Sequence, residues 1–264
     1  MSEELAGKVA IVTGSSRGIG KAIALQLGRD GAAVVVGART EEGTEDKPGS
    51  IGETATAIED AGGKAVAVKV DVTVDSELND LVDKTTTEFG RIDILVNNAG
   101  ALGGAPQFLE SEPDEMDYFY RTNLRAPYVL AKIVGLKMAE QGHGVIFNIS
   151  SGLARLPDPP GSQGTGTPRR FGGPSTVYGM TKAALNRFAA GVAAELQEKN
   201  IAIININPGF TLTERLARLM KGADTSRMER PETTAKAVAF LARDPMPYTG
   251  QIITARELAD EHSL

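Results

Sequence analysis

A tyrosine and a lysine four residues apart, Tyr178 and Lys182, are the side chains best suited to proton chemistry. On a helix, residues at this spacing share one face, so the phenol and the ammonium would be neighbours. A nearby cation stabilises a phenolate, and we expect it to lower the pKa of Tyr178 from its usual value of about 10. Tyr178 would then act as a general acid or base, with Lys182 as its activator. A second pair with this spacing, Tyr128 and Lys132, is interpreted as an ordinary pair on a helix surface.

A glycine-rich segment, Thr13–Gly20 (TGSSRGIG), follows the first apolar run. Its glycines allow a sharp turn and a close approach to a ligand, and the next helix would direct free N–H groups to the same point. The segment therefore predicts a cradle for the pyrophosphate of a dinucleotide. It also contains Gly-x-Ser-x-Gly, the pattern around the nucleophile of α/β-hydrolases. We disfavour that alternative because only His143 and His262 could complete a triad, and the segment lies too near the N-terminus.

The end of the second apolar run carries Arg39, where proteins that bind NAD commonly place an acidic residue. The guanidinium groups of Arg39 and Arg17 would form charge-assisted hydrogen bonds with a ribose 2′-phosphate, which a carboxylate would repel. The sequence therefore predicts a preference for NADP(H), with NAD(H) possible.

Further motifs follow later strands: Asn97-Asn98-Ala99-Gly100, Asn148-Ile149-Ser150-Ser151-Gly152 and Asn207-Pro208-Gly209. Together with the glycine loop and the Tyr178–Lys182 pair, they resemble the short-chain dehydrogenase/reductase family, in the branch with a TGxxxGxG loop and a YxxxK site. The resemblance extends from about Gly7 to Ile253. It implies an NADP(H)-dependent oxidoreductase that interconverts a carbonyl and a secondary alcohol by hydride transfer, with tyrosine as general acid/base.

The resemblance also assigns roles to individual residues. The implied catalytic residues are Asn123, Ser151, Tyr178 and Lys182. The implied cofactor-binding residues are Gly14, Ser16, Arg17, Gly18, Ile19, Gly20, Arg39, Asp71, Val72, Asn98, Ala99, Gly100, Tyr178, Lys182, Pro208, Gly209, Thr211 and Thr213. In this family the serine hydroxyl binds the substrate carbonyl oxygen, and the lysine also binds the ribose.

The family's catalytic asparagine holds a water on its main-chain carbonyl, and that water connects the active-site lysine to solvent. Pro127 lies four residues after Asn123 and has no N–H to donate to this carbonyl. Pro127 would therefore help to create the relay site. The alternative is a helix kink that serves packing only.

These residues must be positioned by alternating apolar runs and helix-like segments. Strands are predicted over 9–12, 33–36, 65–70, 92–96, 145–149, 201–206 and 251–254, and helices over 18–29, 50–61, 75–89, 113–140, 176–199 and 231–242. Consecutive Val and Ile residues indicate strands buried on both faces. We predict an α/β fold: a single-domain, doubly wound (Rossmann-type) parallel β-sheet over residues 1–264, flanked by helices on both faces.

Two segments fall outside this alternation. Residues 157–174 contain five Pro and five Gly, so an inserted loop is predicted at 153–175. Beyond the sixth strand, apolar and basic side chains interleave: Leu212, Leu216, Leu219 and Met220 with Arg215, Arg218 and Lys221. The resemblance implies a substrate lid at about 211–230. An amphipathic helix with a solvated basic face is equally compatible with this pattern.

The composition excludes several classes of site. The chain has 264 residues, no Cys and two His, so disulfides, thiolate zinc sites and multi-histidine metal sites are excluded. A net charge of −6 argues against a nucleic-acid partner. No apolar run approaches the roughly 18 residues that a membrane span needs. The acidic first residues, Met1–Leu5, do not resemble a secretion signal, so a cytoplasmic location is expected.

The expected partners are a small carbonyl or alcohol substrate and further copies of the chain. A homodimer or homotetramer through the helices over 113–140 and 176–199 is implied by the resemblance. One functional alternative remains open: a catalytically silent NADP(H)-sensing protein of the same fold. The presence of all four catalytic residue types argues against it, because a sensor needs only the cofactor site.

Overall fold

Seven parallel strands form one sheet in the order β3-β2-β1-β4-β5-β6-β7. The computed structural model describes residues 4–45, 48–101, 108–157, 176–220, 222 and 224–264. The strands are β1 Val9–Thr13, β2 Ala33–Ala38, β3 Lys64–Lys69, β4 Ile94–Asn97, β5 Gly144–Ile149, β6 Ile201–Asn207 and β7 Ile252–Thr254. The order reverses between β1 and β4, so a crevice opens at the carboxyl ends of these two strands.

Helices cover both faces of this sheet. They are α1 Gly18–Arg29, α2 Ile51–Asp60, α3 Asp75–Phe89, α4 Pro113–Tyr120, α5 Ala126–Gln141, α6 Thr176–Gln197, α7 Glu214–Leu219, α8 Pro231–Arg243 and α9 Ala255–His262. Successive strand residues point to opposite faces: Ala10 and Val12 pack with α1, α2, α8 and α9, whereas Ile11 packs with α3, α5 and α6. The predicted doubly wound α/β fold is confirmed.

The predicted helical region over 113–140 is interrupted near Pro127, where a disturbance was expected, and the interruption is a change of helix type. The chain forms α4, then a π-helical turn at Arg121–Arg125, then α5, and the Ala126 N–H donates to the carbonyl of Arg121. The missing N–H of Pro127 removes one α-helical hydrogen bond, and the wider turn lies immediately before it. Asn123 sits in the middle of this turn.

Three buried asparagines cross the sheet side by side. Asn97 on β4 is paired in register with Asn148 on β5, which is paired with Asn205 on β6. Asn97 Nδ2 donates to Asn148 Oδ1 at 2.9 Å, and Asn148 Nδ2 donates to Asn205 Oδ1 at 3.0 Å. This asparagine ladder lies near the carboxyl ends of β4, β5 and β6, and Asn97 and Asn148 are the first residues of the sequence motifs at these strand ends.

The amino ends of the strands hold a buried acid. The Asp93 side chain is 2% exposed and accepts from Arg91 Nε at 2.8 Å, from Arg91 Nη2 at 2.6 Å and from the Val9 N–H at 2.9 Å. His143 Nε2 lies 2.7 Å and Lys8 Nζ 3.5 Å from the same carboxylate. Burial raises the pKa of Asp93, but the bonds from Arg91, Val9 and His143 outweigh burial and hold it below its usual value.

Candidate active site

The glycine loop connects β1 to α1 at the point where the strand order reverses. Gly14 has φ +67°, and a Cβ there would lie 2.8 Å from Ala99 Cα. A Cβ on Gly20 would lie 2.4 Å from the Gly14 carbonyl oxygen. Asn98 Nδ2 closes the turn by donating to the carbonyls of Thr13 at 2.9 Å and Gly14 at 3.1 Å. The two glycines therefore allow the loop to pack closely against the chain after β4 and against itself.

A cleft of about 780 Å³ opens beside this loop. Of the residues predicted to bind cofactor, it is lined by Gly14, Ser16, Arg17, Arg39, Asp71, Val72, Ala99 and Gly100. Gly18, Ile19, Gly20 and Asn98 lie on the same loop or support it. Pro208, Gly209, Thr211 and Thr213 do not line this cleft; they lie on the connection between β6 and α7, where Thr213 approaches Gly18 of the glycine loop. The structure thus brings the predicted residues from the glycine loop and from the ends of β2, β3 and β4 together around one cleft. It places the other four predicted residues after the end of β6.

The two arginines predicted to hold a 2′-phosphate both reach this cleft. Arg39 is exposed, and its Nη1 lies 3.7 Å from a carboxylate oxygen of Asp71. Arg17 Nη2 donates to Thr40 Oγ1 and to the Gly49 carbonyl, both at 3.0 Å. Arg17 Nε is buried and has no acceptor among the described residues. Arg17 and Arg39 together place positive charge on this side of the cleft, which favours an anionic ligand there.

The lysine of the proton-transfer pair is deeply buried. Lys182 lies on α6, is 4% exposed, and donates from Nζ to the carbonyl of Ile149 at 2.7 Å. The amine also lies 5.7 Å from the ring centroid of Tyr178. Burial lowers the pKa of Lys182 to about 8, because the charged form loses hydration.

Tyr178 lies one helical turn before Lys182, beside the end of β5. Burial raises the pKa of Tyr178 above its usual value, although a hydrogen bond with Ser151 opposes this shift. The expected lowering of the Tyr178 pKa is therefore wrong for this structure, because desolvation outweighs the hydrogen bond with Ser151. Ser151 is the serine that contacts Tyr178, whereas Ser150 donates to Asn186 Oδ1 at 2.7 Å. The choice of Ser151 over Ser150 agrees with these contacts.

Asn123 joins three segments of the site. Its Oδ1 accepts from the Ala101 N–H at 2.7 Å, and its Nδ2 donates to the Ala101 carbonyl at 3.1 Å and to Thr181 Oγ1 at 3.2 Å. The Thr181 hydroxyl in turn donates to the Tyr178 carbonyl at 2.8 Å. The π-helical turn, the chain after β4 and the start of α6 are thus held together by side-chain hydrogen bonds.

An aromatic contact supports the tyrosine from the other side. Buried Phe119 on α4 meets the Tyr178 ring edge to face, with centroids 6.5 Å apart. Such pairs prefer this geometry and restrict the ring's orientation.

The contacts of Asn123, Ser151, Tyr178 and Lys182 place the four predicted catalytic residues in one region, at the carboxyl ends of β4 and β5.

The connection after β6 contains the segment that was predicted to form a substrate lid. Thr211 pairs with Glu229, and the Leu212 N–H donates to the Glu229 carbonyl at 2.8 Å. Thr213 caps α7 by accepting from the Leu216 N–H at 3.4 Å. The expected inserted loop at 153–175 lies outside the described residues from 158 onward; before it, residues 152–154 form a 3₁₀ turn.

Two residues at this site were missed in the sequence. Thr181 lies inside the YxxxK motif, at a position to which the motif assigns no role. Its place directly before Lys182 was the sequence signal that could have indicated a role at the site. Glu214 accepts from the Gly18 N–H at 3.3 Å. That contact joins residues far apart in the chain, so sequence spacing could not reveal it.

Within the described part of the chain, no cluster of three or more His, Cys, Asp or Glu side chains is placed to hold a metal ion. Every described helix is too short or too polar to cross a bilayer.

Comparisons with known proteins agree with this geometry. The sequence model of the short chain dehydrogenase family matches residues 8–224. An uncharacterized oxidoreductase of Methylorubrum extorquens is 34% identical over 267 residues, covering 96% of this chain and 97% of that protein. The 7alpha-hydroxysteroid dehydrogenase of Escherichia coli K12 is 31% identical over 260 residues, covering 95% and 93%.

Solved structures show the same similarity. A 7 alpha-hydroxysteroid dehydrogenase complexed with NADH and 7-oxo glycochenodeoxycholic acid superposes with a TM-score of 0.77, 30% identity and 96% coverage of each chain. A short chain dehydrogenase from Mycobacterium thermoresistibile superposes with a TM-score of 0.84 and 29% identity, covering 98% of this chain and 89% of that one.

Proposed function

The chain belongs to the short-chain dehydrogenase/reductase family, and on that premise we propose that it is an NADP(H)-dependent oxidoreductase interconverting a carbonyl and a secondary alcohol. The observation that carries the proposal is the convergence of Asn123, Ser151, Tyr178 and Lys182 at the carboxyl ends of β4 and β5. A soluble carbonyl compound would be the substrate, and a dinucleotide would lie along the crevice. The arginines that line the cleft and the tight glycine turn at the start of α1 fit such a ligand.

Each of the four residues has a separate role in the proposed reaction. A bound nicotinamide would supply a hydride to the carbonyl carbon in reduction, or accept one in oxidation. Ser151 orients the substrate oxygen, and Tyr178 donates its phenolic proton to that oxygen as the C=O bond becomes C–O–H. Lys182 stabilises the resulting phenolate and binds the ribose of the same cofactor. Asn123 holds the segment through which a proton returns to Tyr178.

A raised Tyr178 pKa suits the reducing direction. The phenol stays protonated at neutral pH and is available as a donor. The ammonium of Lys182, with a pKa of about 8, is charged below that pH and neutral above it. Reduction should therefore slow as pH rises through about 8, because neutral Lys182 no longer stabilises the phenolate.

The first experiment measures NADPH oxidation against ketones and aldehydes, including a 7-oxo bile acid because a relative binds one. We expect turnover in wild type and a loss of roughly 10²- to 10⁴-fold in Tyr178→Phe, with NADPH binding kept. Tyr128→Phe is the matched control: Tyr128 has the same YxxxK spacing but lies half exposed on α5. Near-normal turnover in Tyr178→Phe would overturn the mechanism. Cofactor binding with no turnover across the panel would favour the NADP(H)-sensing alternative.

The preference for NADP(H) rests on Arg17 and Arg39. Both line the cleft beside Thr40, at the end of β2. Charge-assisted hydrogen bonds contribute about 1.5–3 kcal/mol each. Arg39→Asp should therefore weaken NADPH binding by about 10- to 100-fold relative to NADH, as measured by fluorescence titration. Arg29→Asp, at an exposed position in the last turn of α1, is the control for charge. An unchanged NADPH to NADH ratio in Arg39→Asp would refute the preference.

A homodimer or homotetramer is part of the same proposal. Exposed side chains at the end of α4 and on α5 support it: Tyr120, Tyr128 and Leu136 are all substantially exposed. A depression of about 560 Å³ lies among Tyr120, Tyr128 and Phe188. Light scattering during gel filtration measures the assembly, and a monomer at micromolar concentration would refute it. The cytoplasmic location stays a prediction.

A further inference from the structure

The short lid helix α7 touches the phosphate cradle through a carboxylate. Glu214 is its first residue, and its Oε1 accepts from the N–H of Gly18, the first residue of α1. Gly18 has φ +59°, and a Cβ there would lie 3.3 Å from Thr213 Cγ2 and 3.6 Å from Glu214 Oε2. The start of α7 therefore packs directly on the glycine loop. Its negative group occupies a backbone donor at the amino end of α1.

That donor is one that a phosphate would need. The free N–H groups in the first turn of a helix carry the positive end of the helix dipole, and anions bind there. A carboxylate already bonded to Gly18 satisfies the donor and adds negative charge at the same point. Glu214 must release Gly18 before this N–H can serve a phosphate.

The same helix carries positive charge into the adjoining cleft. Arg218 stands four residues after Glu214 on α7 and lines the cleft with Arg17 and Arg39. Arg215 lines it as well. Four arginine side chains, Arg17, Arg39, Arg215 and Arg218, therefore line one cleft, and their combined charge favours an anionic ligand there. One turn of helix thus presents opposite charges to the two sides of a single anion-binding region.

The base of this segment is fixed by backbone hydrogen bonds. The Leu212 N–H donates to the Glu229 carbonyl at 2.8 Å, and the Glu229 N–H donates to the Phe210 carbonyl at 2.9 Å. Glu229 also lies 3.5 Å from Arg256 Nη1 of α9. Because its base is anchored, α7 keeps Glu214 and Arg218 close to the cleft whichever of them is engaged.

We propose that α7 sets the affinity for the pyrophosphate part of the dinucleotide through two opposed side chains, Glu214 weakening it and Arg218 strengthening it. This inference rests on the proposed dinucleotide site and adds two affinity-determining residues to it. A purely structural α7 would respond to both substitutions in the same direction. If the two charges act on the ligand, removing Glu214 should raise the affinity and removing Arg218 should lower it.

The experiment measures dissociation constants of ADP and NADPH by isothermal titration calorimetry for wild type, Glu214→Gln and Arg218→Gln. A charge at a helix terminus contributes about 0.3–1 kcal/mol, which corresponds to about two- to fivefold in affinity. We expect Glu214→Gln to bind both ligands about two- to fivefold more tightly and Arg218→Gln to bind them more weakly by a similar factor. Glu257→Gln removes an equal charge from the first turn of α9 and should change neither constant.

A third ligand, 2′-AMP, tests whether Glu214 acts on the pyrophosphate or on any phosphate bound in the cleft. 2′-AMP carries a phosphate but no pyrophosphate, so its affinity should stay unchanged in Glu214→Gln. Weaker or unchanged ADP binding in Glu214→Gln would overturn the inference, as would a change equal to that of Glu257→Gln. Opposite shifts with ADP but no carbonyl turnover would support the role of α7 and reject the proposed activity. Turnover with NADPH but no shift in either variant would reject the role of α7 alone.

Discussion

The two ends of the sheet each bury an ionisable group, and they treat it in opposite ways. At the amino ends, Asp93 is surrounded by Arg91, His143, Lys8 and the Val9 N–H, so its charged form is favoured. At the carboxyl ends, Lys182 is almost as deeply buried but bonds to a single neutral carbonyl, so its charged form is disfavoured. The Asp93 cluster favours the folded state. The buried ammonium of Lys182, in contrast, lowers the free energy of unfolding, because its desolvation is not compensated by a charged partner.

The difference in partners distinguishes a buried group that stabilises the fold from one whose charge can change near neutral pH. A buried charge with full partners is stable and chemically inert, because its protonation state does not change near neutral pH. A buried amine with a pKa of about 8 changes charge close to working pH, as proton-transfer chemistry requires. We therefore expect substitutions at the two ends to have opposite effects on the free energy of unfolding.

Asp93→Ala should show the largest effect. It leaves the Val9 N–H buried without an acceptor and removes the shared partner of three basic side chains, at a cost of about 2–4 kcal/mol of unfolding free energy. Denaturation by urea measures the loss, with the exposed Asp80→Ala on α3 as control. Turnover per folded molecule should be unchanged. In wild type, the contribution of Asp93 should be present above its unfolded pKa and disappear as pH falls through its lower folded pKa.

Lys182→Met should have a smaller effect of opposite sign. Removing the buried amine relieves the desolvation cost, and we expect a gain of about 1–3 kcal/mol in unfolding free energy at about pH 7 after loss of the bond to Ile149. The cost in wild type is complete below pH 8 and fades as pH approaches 10.5, the unfolded value, so the gain should shrink over that interval. Lys132→Met, in the exposed YxxxK pair, is the control. A loss of stability in Lys182→Met would contradict the comparison.

Thr181→Val should have the smallest effect on stability, about 1 kcal/mol, because it removes two hydrogen bonds and keeps the side-chain shape. Its signature is functional: without the link between Asn123 and the Tyr178 carbonyl, kcat should fall several-fold and the pH profile should shift, while KM changes little. Thr181→Ser keeps the hydroxyl and should restore both. Equal behaviour of the Val and Ser variants would show that the hydroxyl has no positioning role.

Most of the fold could be predicted because its signals are local. Runs such as Ala33–Ala38 are apolar on both faces, and helices such as α3 begin with acidic residues and end at a glycine, Gly90. The π-helical turn was missed because Pro127 predicts a disturbance without its form. The Tyr178 pKa was wrong in direction because spacing reveals a neighbouring cation but not the loss of hydration. The Glu214–Gly18 contact depends on tertiary packing between residues 196 positions apart.

The asparagine ladder has a consequence for how the chain folds. Asn97, Asn148 and Asn205 come from segments separated by 51 and 57 residues, so no local turn aligns β4, β5 and β6. A slip of one residue would turn Asn148 toward the opposite apolar layer and leave buried amides unpaired, at about 1–3 kcal/mol for each group. The ladder adds little net stability to the finished sheet. It selects one strand alignment among the nearly equivalent ones that Val and Ile alone would permit, and so disfavours misaligned intermediates.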